Sequence, residues 1–518
     1  MADITPLRVG FVHPDLGIGG AEKLIVDAAV SLQDRGHEVV IFTSRHDPKR
    51  CFEETRNGTL KVHVLGDSIV PRTILNSLHI VCASLRQIHL SLLLLASIYL
   101  PFRIPFISPL SPLESFDVFI VDQLSVCVPI LRWFGQTRVV FYCHFPDKLL
   151  AGGREVEVDN VGRSDMNPRE AKKKESKKAP GLLKRLYRLP FDKMEEATTG
   201  ESDIVLANSS FTARVYDRAF PTLKQKPRVV YPCIKVEQYV GLDPAETNND
   251  KNVQMIRSDK ATFVSLNRFE AKKNIELALE AFSLVKKDRP NGSMRLVVAG
   301  GYDKALKDNI DTYARLTKFC DDSGLRYVTI RPEDGDSTPT STEVNKAEVV
   351  FLLNFTDGQR ASLLTADSSI ALLYTPENEH FGIVPVEAMA CGLPVLGVNS
   401  GGPTETVVDT DAELSGEGAT GLLRRPEADQ WARAMSTLFD LSPDDRARIA
   451  RAGKERVRKN FSSEKLGEEM ELACYEAVSR GTVGLEEQCL LLVGALGLAW
   501  IMAAIAVLFS QIPASYFQ

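Results

Sequence analysis

Two carboxylates, Glu379 and Glu387, stand with seven residues between them in EHFGIVPVEAMACGLPVLGVNSGGPTETV, which ends at Val407. FGIVPVEAMACG predicts a helix closed by Gly392, with Glu379 just ahead of its first turn and Glu387 one to two turns inside. Both carboxylates then reach one ligand lying over the helix N-terminus. There the backbone N–H groups around Gly382 and Ile383 lack helical partners and attract anions. Anion donors for phosphates and acceptors for hydroxyls are what a sugar diphosphate requires. Two glutamates at this spacing arise by chance on any acidic helix; the flanking HFG and GLPV give the pattern its weight. SLNRFEAKKN, 265–274, adds Arg268 and Lys273, five positions apart after an apolar run. A guanidinium fork and an ammonium point charge would neutralise a diphosphate leaving group. Alone they would be an ordinary solvated loop; beside the glutamates in one sheet they read as donor-binding.

Near the other end, HPDLGIGGAEK follows the apolar run VGFV. A dinucleotide fingerprint needs G-x-G-x-x-G. Gly17 and Gly19 satisfy it, but Glu22 occupies the third position. What remains is a strand, a glycine turn and a helix start. Gly17 turns the chain, while Gly19 and Gly20 let a ligand approach the main chain with no Cβ in the way. His144, in CHFPD after another apolar run, is either structural or a cleft residue. No nucleophile–base triad is visible. D-x-D occurs twice, at 334–336 and 409–411, in loops away from the glutamates, and no His/Cys cluster suggests zinc. Neither a metal nor another cofactor is expected.

These residues need strands and helices to bring them together. With 518 residues the chain exceeds one core, so two or more domains are expected. RVGFV, EVVIFTS, FDVFIVDQ, RVVFYCHFP and DIVLANS alternate with helical patterns. The rhythm restarts after RVVYPCI with ATFVSLNRF, MRLVVAGG, YVTIRP, EVVFLLNF, SIALLYTP and LPVLGVNSGG. That βαβ alternation predicts an α/β fold of two facing, doubly wound, Rossmann-like domains, 1–228 and 229–480. Ligands of such sheets bind beyond the carboxyl ends of the strands.

The net charge of −6 excludes a nucleic-acid binder of the usual basic kind. Nine scattered cysteines without a C-x-x-C pair predict reduced thiols and a cytosol-facing body. MADITPLRVGFV does not read as a signal peptide. CLLLVGALGLAWIMAAIAVLF, 489–509, holds 21 residues without a charge and predicts a transmembrane helix. Upstream Arg480 and RVRKNF keep the globular part cytosolic. LSLLLLASIYLPF, from Leu90, offers too short a clean run to span. It reads equally as a core helix or as a helix lying in the membrane interface. AKKKESKK at 171–178 and GLLKRLYRLPF at 181–191 are a solvated segment or a contact with anionic lipid.

Together these segments resemble glycosyltransferase family 4, retaining enzymes of the GT-B fold, over roughly residues 5–475. HPDLGIGGAEKLIVDAA, FYCHFPDKLL, LKRLYRLPFDKMEEATTGESDIVLANSSFTA and SLNRFEAKKNIELALEAF resemble in particular the dolichol-pathway mannosyltransferases. That resemblance implies GDP-mannose as donor and a Man-GlcNAc2 oligosaccharide on dolichol diphosphate as acceptor, receiving an α-1,3 and then an α-1,6 mannose. It implies an endoplasmic reticulum membrane location, with the catalytic domains on the cytosolic face and other transferases of the pathway as further partners. Residue by residue, Glu387 would hold the ribose, Glu379 the transferred mannose, and Arg268 and Lys273 the diphosphate. The Gly17–Gly20 loop would lie beside the diphosphate and acceptor, and His144 would line the cleft as a catalytic residue. The implied mechanism is front-face attack, with the leaving phosphate taking the acceptor proton. The pathway's α-1,2-mannosyltransferase, with a longer glycine run at GIGG, another enzyme of the same fold such as a sucrose- or trehalose-type transferase, and a membrane-tethered scaffold are the alternatives.

Overall fold

The computed structural model describes residues 5–67, 69–73, 79–152, 182–236, 251–290, 293–331, 339–411 and 413–484. The expected transmembrane helix 489–509, the basic stretch 171–178 and the D-x-D at 334–336 lie outside the described residues.

The apolar runs become two seven-stranded parallel sheets. The first contains β1 (Arg8–His13), β2 (Glu38–Thr43), β3 (Lys61–Val64), β4 (Val118–Asp122), β5 (Arg138–Cys143), β6 (Ile204–Ala207) and β7 (Arg228–Val229). Its order is β3-β2-β1-β4-β5-β6-β7. The second contains β8 (Ala261–Leu266), β9 (Met294–Gly300), β10 (Tyr327–Ile330), β11 (Val349–Leu353), β12 (Ser369–Tyr374), β13 (Val395–Val398) and β14 (Gly421–Arg424). Its order is β10-β11-β9-β8-β12-β13-β14. Strands such as VFIVD and VVFLL are buried along their whole length because helices cover both faces of each sheet, hence their unbroken apolar character. Strand order reverses between β1 and β4 in the first sheet and between β8 and β12 in the second. Crevices open at such reversals, and both receive the candidate site residues.

The helix His79–Tyr99 is longer than the clean apolar run that makes up its second half, because Arg86 and Gln87 are accommodated in the interior. Arg86 donates to the Ser44 carbonyl at 3.0 Å and lies 3.3 Å from the Asp15 carboxylate. By length and composition this helix is apolar enough to cross a membrane. One face, with Leu90, Leu93 and Leu94, packs into the first domain; Leu85, Leu92 and Tyr99 remain exposed. The helix Leu182–Gly200 follows, with Pro190 inside it.

The last described helix, Ser463–Ser479, returns to the first domain. Leu466, Met470, Ala473 and Ala477 join the core formed by Leu24, Ala28 and the inner strands. Glu471 accepts from Arg35 at 2.6 Å and from His37 at 3.0 Å. Arg138 of β5 donates to the carbonyls of Arg480, Gly481 and Thr482.

Candidate functional site

In the second domain the carboxyl ends of adjacent β8 and β12 position the polar residues. After β8 the chain makes a short turn, Ala271–Lys273, and leaves it through Asn274 in a left-handed conformation. The Thr375 hydroxyl, just beyond β12, donates to the Lys273 carbonyl at 2.7 Å. That bond ties the two strand ends together. The Lys273 ammonium then donates to Glu379 Oε2 at 2.6 Å. Burial opposes ionisation of Glu379, but Lys273 outweighs it and holds the carboxyl below its ordinary range. Glu379 is therefore an anion at neutral pH, available as an acceptor. Arg268, on the same loop, is 65% exposed and 3.8 Å from Glu270.

The helix foreseen at FGIVPVEAMACG spans Ile383–Cys391. It starts from Gly382 at φ 83° and ends at Gly392 at φ 84°, both left-handed. A side chain at Gly382 would be strained, and its Cβ would stand 3.2 Å from the Tyr374 ring. The glycine pair after β13 lets two loops touch. Gly402 donates its N–H to the Glu379 carbonyl at 2.8 Å, and a Cβ at Gly401 would meet the same residue's backbone at 2.5 Å. Glu387 lies inside the helix, 7% exposed, and accepts from Arg360 at 3.0 Å. Tyr374, buried at the end of β12, has its hydroxyl bonded to Glu379 and feels the charge of Glu387; burial above all raises its pKa. The two glutamates thus share one small region around this phenol.

In the first domain, β1 ends in His13, β4 in Asp122, and His144 follows β5. Asp122 accepts from His13 Nδ1 at 2.8 and 3.0 Å and from His144 Nε2 at 2.9 Å. Burial disfavours the charged forms of His13 and Asp122. Their mutual attraction wins, raising the His13 pKa and lowering that of Asp122. The glycine loop starts directly after His13. Gly19 is extended at φ −166° and caps the helix Gly20–Asp34. No position from Gly17 to Gly20 has positive φ, so backbone strain does not explain the glycines. A Cβ at Gly17 or Gly20 would meet nothing within 4 Å, which leaves open main chain at the helix start.

The two domains meet beside these groups. The Phe145 ring stacks on His380 at 4.0 Å between centroids and 8° between planes. Burial lowers the His380 pKa to about 4. The Ser209 hydroxyl donates to the His380 carbonyl. Glu405 accepts from the N–H groups of Ser210 and Phe211, each at 2.7 Å, at the start of the helix Ser210–Ala219, and from the Tyr231 hydroxyl at 3.1 Å.

Two family models match in sequence order: "Glycosyltransferase Family 4" over residues 18–238, and "Glycosyl transferases group 1" over 246–320 and 340–456. The protein named Alpha-1,3/1,6-mannosyltransferase ALG2 in Rhizomucor pusillus is 41% identical over 498 residues, 95% of this chain and 96% of its own. Its namesake in Neurospora crassa is 39% identical over 98% of this chain and 97% of its own. The chain belongs to this mannosyltransferase family. As a member it is a glycosyltransferase. Solved structures share the fold at low identity. A glycosyltransferase from Rickettsia africae superposes with a TM-score of 0.62 at 14% identity, covering 92% of this chain and all of its own. The sucrose-phosphate synthase of Thermosynechococcus elongatus gives 0.60 at 17% identity, with the same coverage.

For this family member, the residues singled out in the sequence fall in two groups. Arg268, Lys273, Glu379, Gly382, Ile383 and Glu387 gather at the second sheet's reversal; Gly17, Gly19, Gly20 and His144 lie at the first. Sequence reasoning missed His13, Asp122, Tyr374, Arg360 and the Phe145–His380 contact. A signal existed for His13 and Asp122, each a lone polar residue ending an apolar strand next to the reversal. The 409–411 acids serve the fold: Asp409 pairs with Arg424 at 2.6 Å, and Asp411 accepts N–H groups of its own loop. Among the described residues, no three His, Cys, Asp or Glu side chains are grouped to hold a metal.

Proposed function

We propose that this chain transfers mannose from GDP-mannose to a Man-GlcNAc2 oligosaccharide on dolichol diphosphate, making an α-1,3 and then an α-1,6 linkage with retention. The observation that carries the reading is the Lys273–Glu379 pair at the β8–β12 reversal, in a chain 39–41% identical almost throughout to proteins named for that chemistry. Arg268 and Lys273 supply the positive charge for the diphosphate, so no metal is required. Lys273 has three N–H donors and gives one to Glu379, leaving two for phosphate oxygens. The N–H groups at Gly382 and Ile383 add a partial positive charge at the helix start. Glu379, held ionised, accepts hydroxyls of the transferred mannose, and Glu387 accepts those of the ribose. The open glycine loop and His144 face the acceptor side. The acceptor hydroxyl attacks the sugar on the face the diphosphate leaves. Its proton passes to the departing phosphate oxygen, so no separate base is needed.

The reading places the protein at the endoplasmic reticulum membrane with its domains in the cytosol, alongside other transferases of the pathway. Two features support that placement. The helix His79–Tyr99 exposes Leu85, Leu92 and Tyr99, and Phe102, Phe106 and Ile107 stand exposed just after it. Such an apolar surface suits the headgroup boundary. None of the eight described cysteines is joined in a disulfide, which suits a reducing compartment.

The deciding experiment incubates the purified full-length protein with GDP-mannose and lipid-linked Man-GlcNAc2, then maps the product linkages. Successive α-1,3 and α-1,6 additions are expected. An α-1,2 product, use of a glucose nucleotide, or no transfer at all would overturn the assignment.

A further inference from the structure

The unit formed by His13, Asp122 and His144 is a candidate outside the donor-binding set. Its proton count follows from the bonds. His13 Nε2 lies 3.1 Å from the Asp15 carbonyl, which can only accept, so Nε2 carries a hydrogen. His13 Nδ1 lies against the Asp122 carboxylate, which also accepts, so Nδ1 carries one too. His13 is therefore an imidazolium, fully buried against a fully buried carboxylate, and the pair is neutral overall. The same carboxylate faces His144 Nε2 at 2.9 Å. With that hydrogen on Nε2, the lone pair of the corresponding tautomer sits on Nδ1. The His144 side chain is 17% exposed, whereas those of His13 and Asp122 are sealed.

The remaining titratable neighbours do not compete for these bonds. Glu22 acts on His13 and His144 on His380, both through space, while Tyr142 and Cys127 feel Asp122 as buried neutral groups. On the other side, the Asp15 carbonyl held by His13 also receives the Gly17 N–H at 3.1 Å. Asp122 thus connects two acceptor-side elements: His144 directly, and the glycine loop through His13.

We propose that Asp122 is a positioning residue for transfer: it holds His144 as the Nε2–H tautomer, so that Nδ1 accepts a hydrogen bond from a sugar hydroxyl in the cleft, and through His13 it fixes the start of the glycine loop. The nature of the ligand rests on the functional reading above; the proton arrangement does not. A carboxylate in this relation to an imidazole sets tautomer and orientation without touching the reacting atoms. Replacing it by an amide removes the anion His13 needs and puts an N–H group where His144 also presents one.

Two measurements test the inference. In full-length wild-type protein carrying 15N-labelled histidine, NMR at pH 7 should show His144 protonated on Nε2 alone and His13 on both nitrogens. A proton on His144 Nδ1, or a neutral His13, overturns the arrangement whatever the enzyme's substrate proves to be. In the transfer assay, D122N and H144A should each lower kcat by about 100-fold or more, with donor KM changed less than about 3-fold. The losses should combine less than multiplicatively: D122N added to H144A should cost clearly less than D122N costs in wild type, the remainder coming through His13 and the glycine loop. Independent, multiplying losses would show that Asp122 does not act through His144. Should wild-type protein transfer no mannose, the functional reading fails while the tautomer measurement still decides the proton arrangement.

Discussion

Gly20→Val separates a ligand platform from a plain turn, and the structure sets its magnitude. Gly20 is the first residue of the helix Gly20–Asp34 and does not have positive φ. A Cβ there meets no heavy atom within 4 Å, so the protein leaves room where the new side chain begins. Helix preference favours the change by roughly 0.3–0.5 kcal/mol. At about 2–4 °C per kcal/mol for domains of this size, the melting temperature should rise or stay within about 2 °C. Transfer should behave differently, because the methyl groups occupy the space through which diphosphate and acceptor reach the main chain. A loss of at least ~10-fold in kcat/KM is expected, the equivalent of ~1.4 kcal/mol. Initial rates of mannose transfer and a thermal melt on the same preparation measure both quantities. Gly19→Ala is the contrasting control, since its Cβ would stand 2.2 Å from the Glu22 carboxylate and must displace that side chain. A stable Gly20→Val protein with near-normal transfer refutes the platform. Parallel loss of melting temperature and activity would make the loop a structural turn.

Glu387→Ala should raise donor KM by about 10-fold or more, as loss of a charged acceptor is worth ~1.5–3 kcal/mol; unchanged donor affinity in a titration removes Glu387 from the site. Lys273→Met should remove the stability contributed by the Lys273–Glu379 pair. Because the folded Glu379 pKa lies below its ordinary 4.5, that contribution is complete above pH 4.5 and is lost as pH falls through the folded value. The melting-temperature gap between wild type and variant should therefore be open at pH 7 and narrow progressively below pH 4.5; a gap that does not narrow in acid contradicts the pairing. His380 acts in the same direction over a higher pH range, with a folded pKa of about 4 against 6.5. Between those values the unfolded chain binds a proton that the folded protein refuses, so stability falls as pH drops from 6.5 to 4. His380→Phe should flatten that part of the melting curve against pH, and an equally steep curve in the variant rules out His380 as its source.

Much of this architecture was legible because parallel strands buried on both faces must be apolar throughout. VFIVD, RVVFYC and VVFLL leave no other reading, and glycines mark where FGIVPVEAMACG begins and stops. The edge strands Lys61–Val64 and Gly421–Arg424 escaped notice because they are four residues each and only partly apolar. The candidate donor residues announced themselves by flanking motifs. Arg360 carried no such signal: its meeting with Glu387 depends on how the helix Asp357–Thr365 packs, not on any local spacing. Asp122 and His13 were visible as residues but not as a pair, since 109 positions separate them and only the β1–β4 reversal joins them. The sequence reads Gly17 as the turn-maker and Gly19 and Gly20 as open main chain; the structure shows open space without left-handed geometry at Gly17 and Gly20, whereas a Cβ at Gly19 would meet Glu22.

The return of Ser463–Ser479 to the first domain bears on how the protein emerges from the ribosome. Residues 8 to 229 supply all seven strands of the first sheet, yet its helical cover is completed only by Leu466, Met470, Ala473 and Ala477. The first domain therefore cannot reach its final packing until more than 200 further residues, including the whole second sheet, have been translated. At ~5–20 residues per second this leaves an apolar face uncovered for ten seconds or more, a period in which nascent chains need protection from aggregation. A premature stop anywhere before 463 would strand the first domain in that state, so loss of this returning helix should be as damaging as loss of the residues that face the substrates.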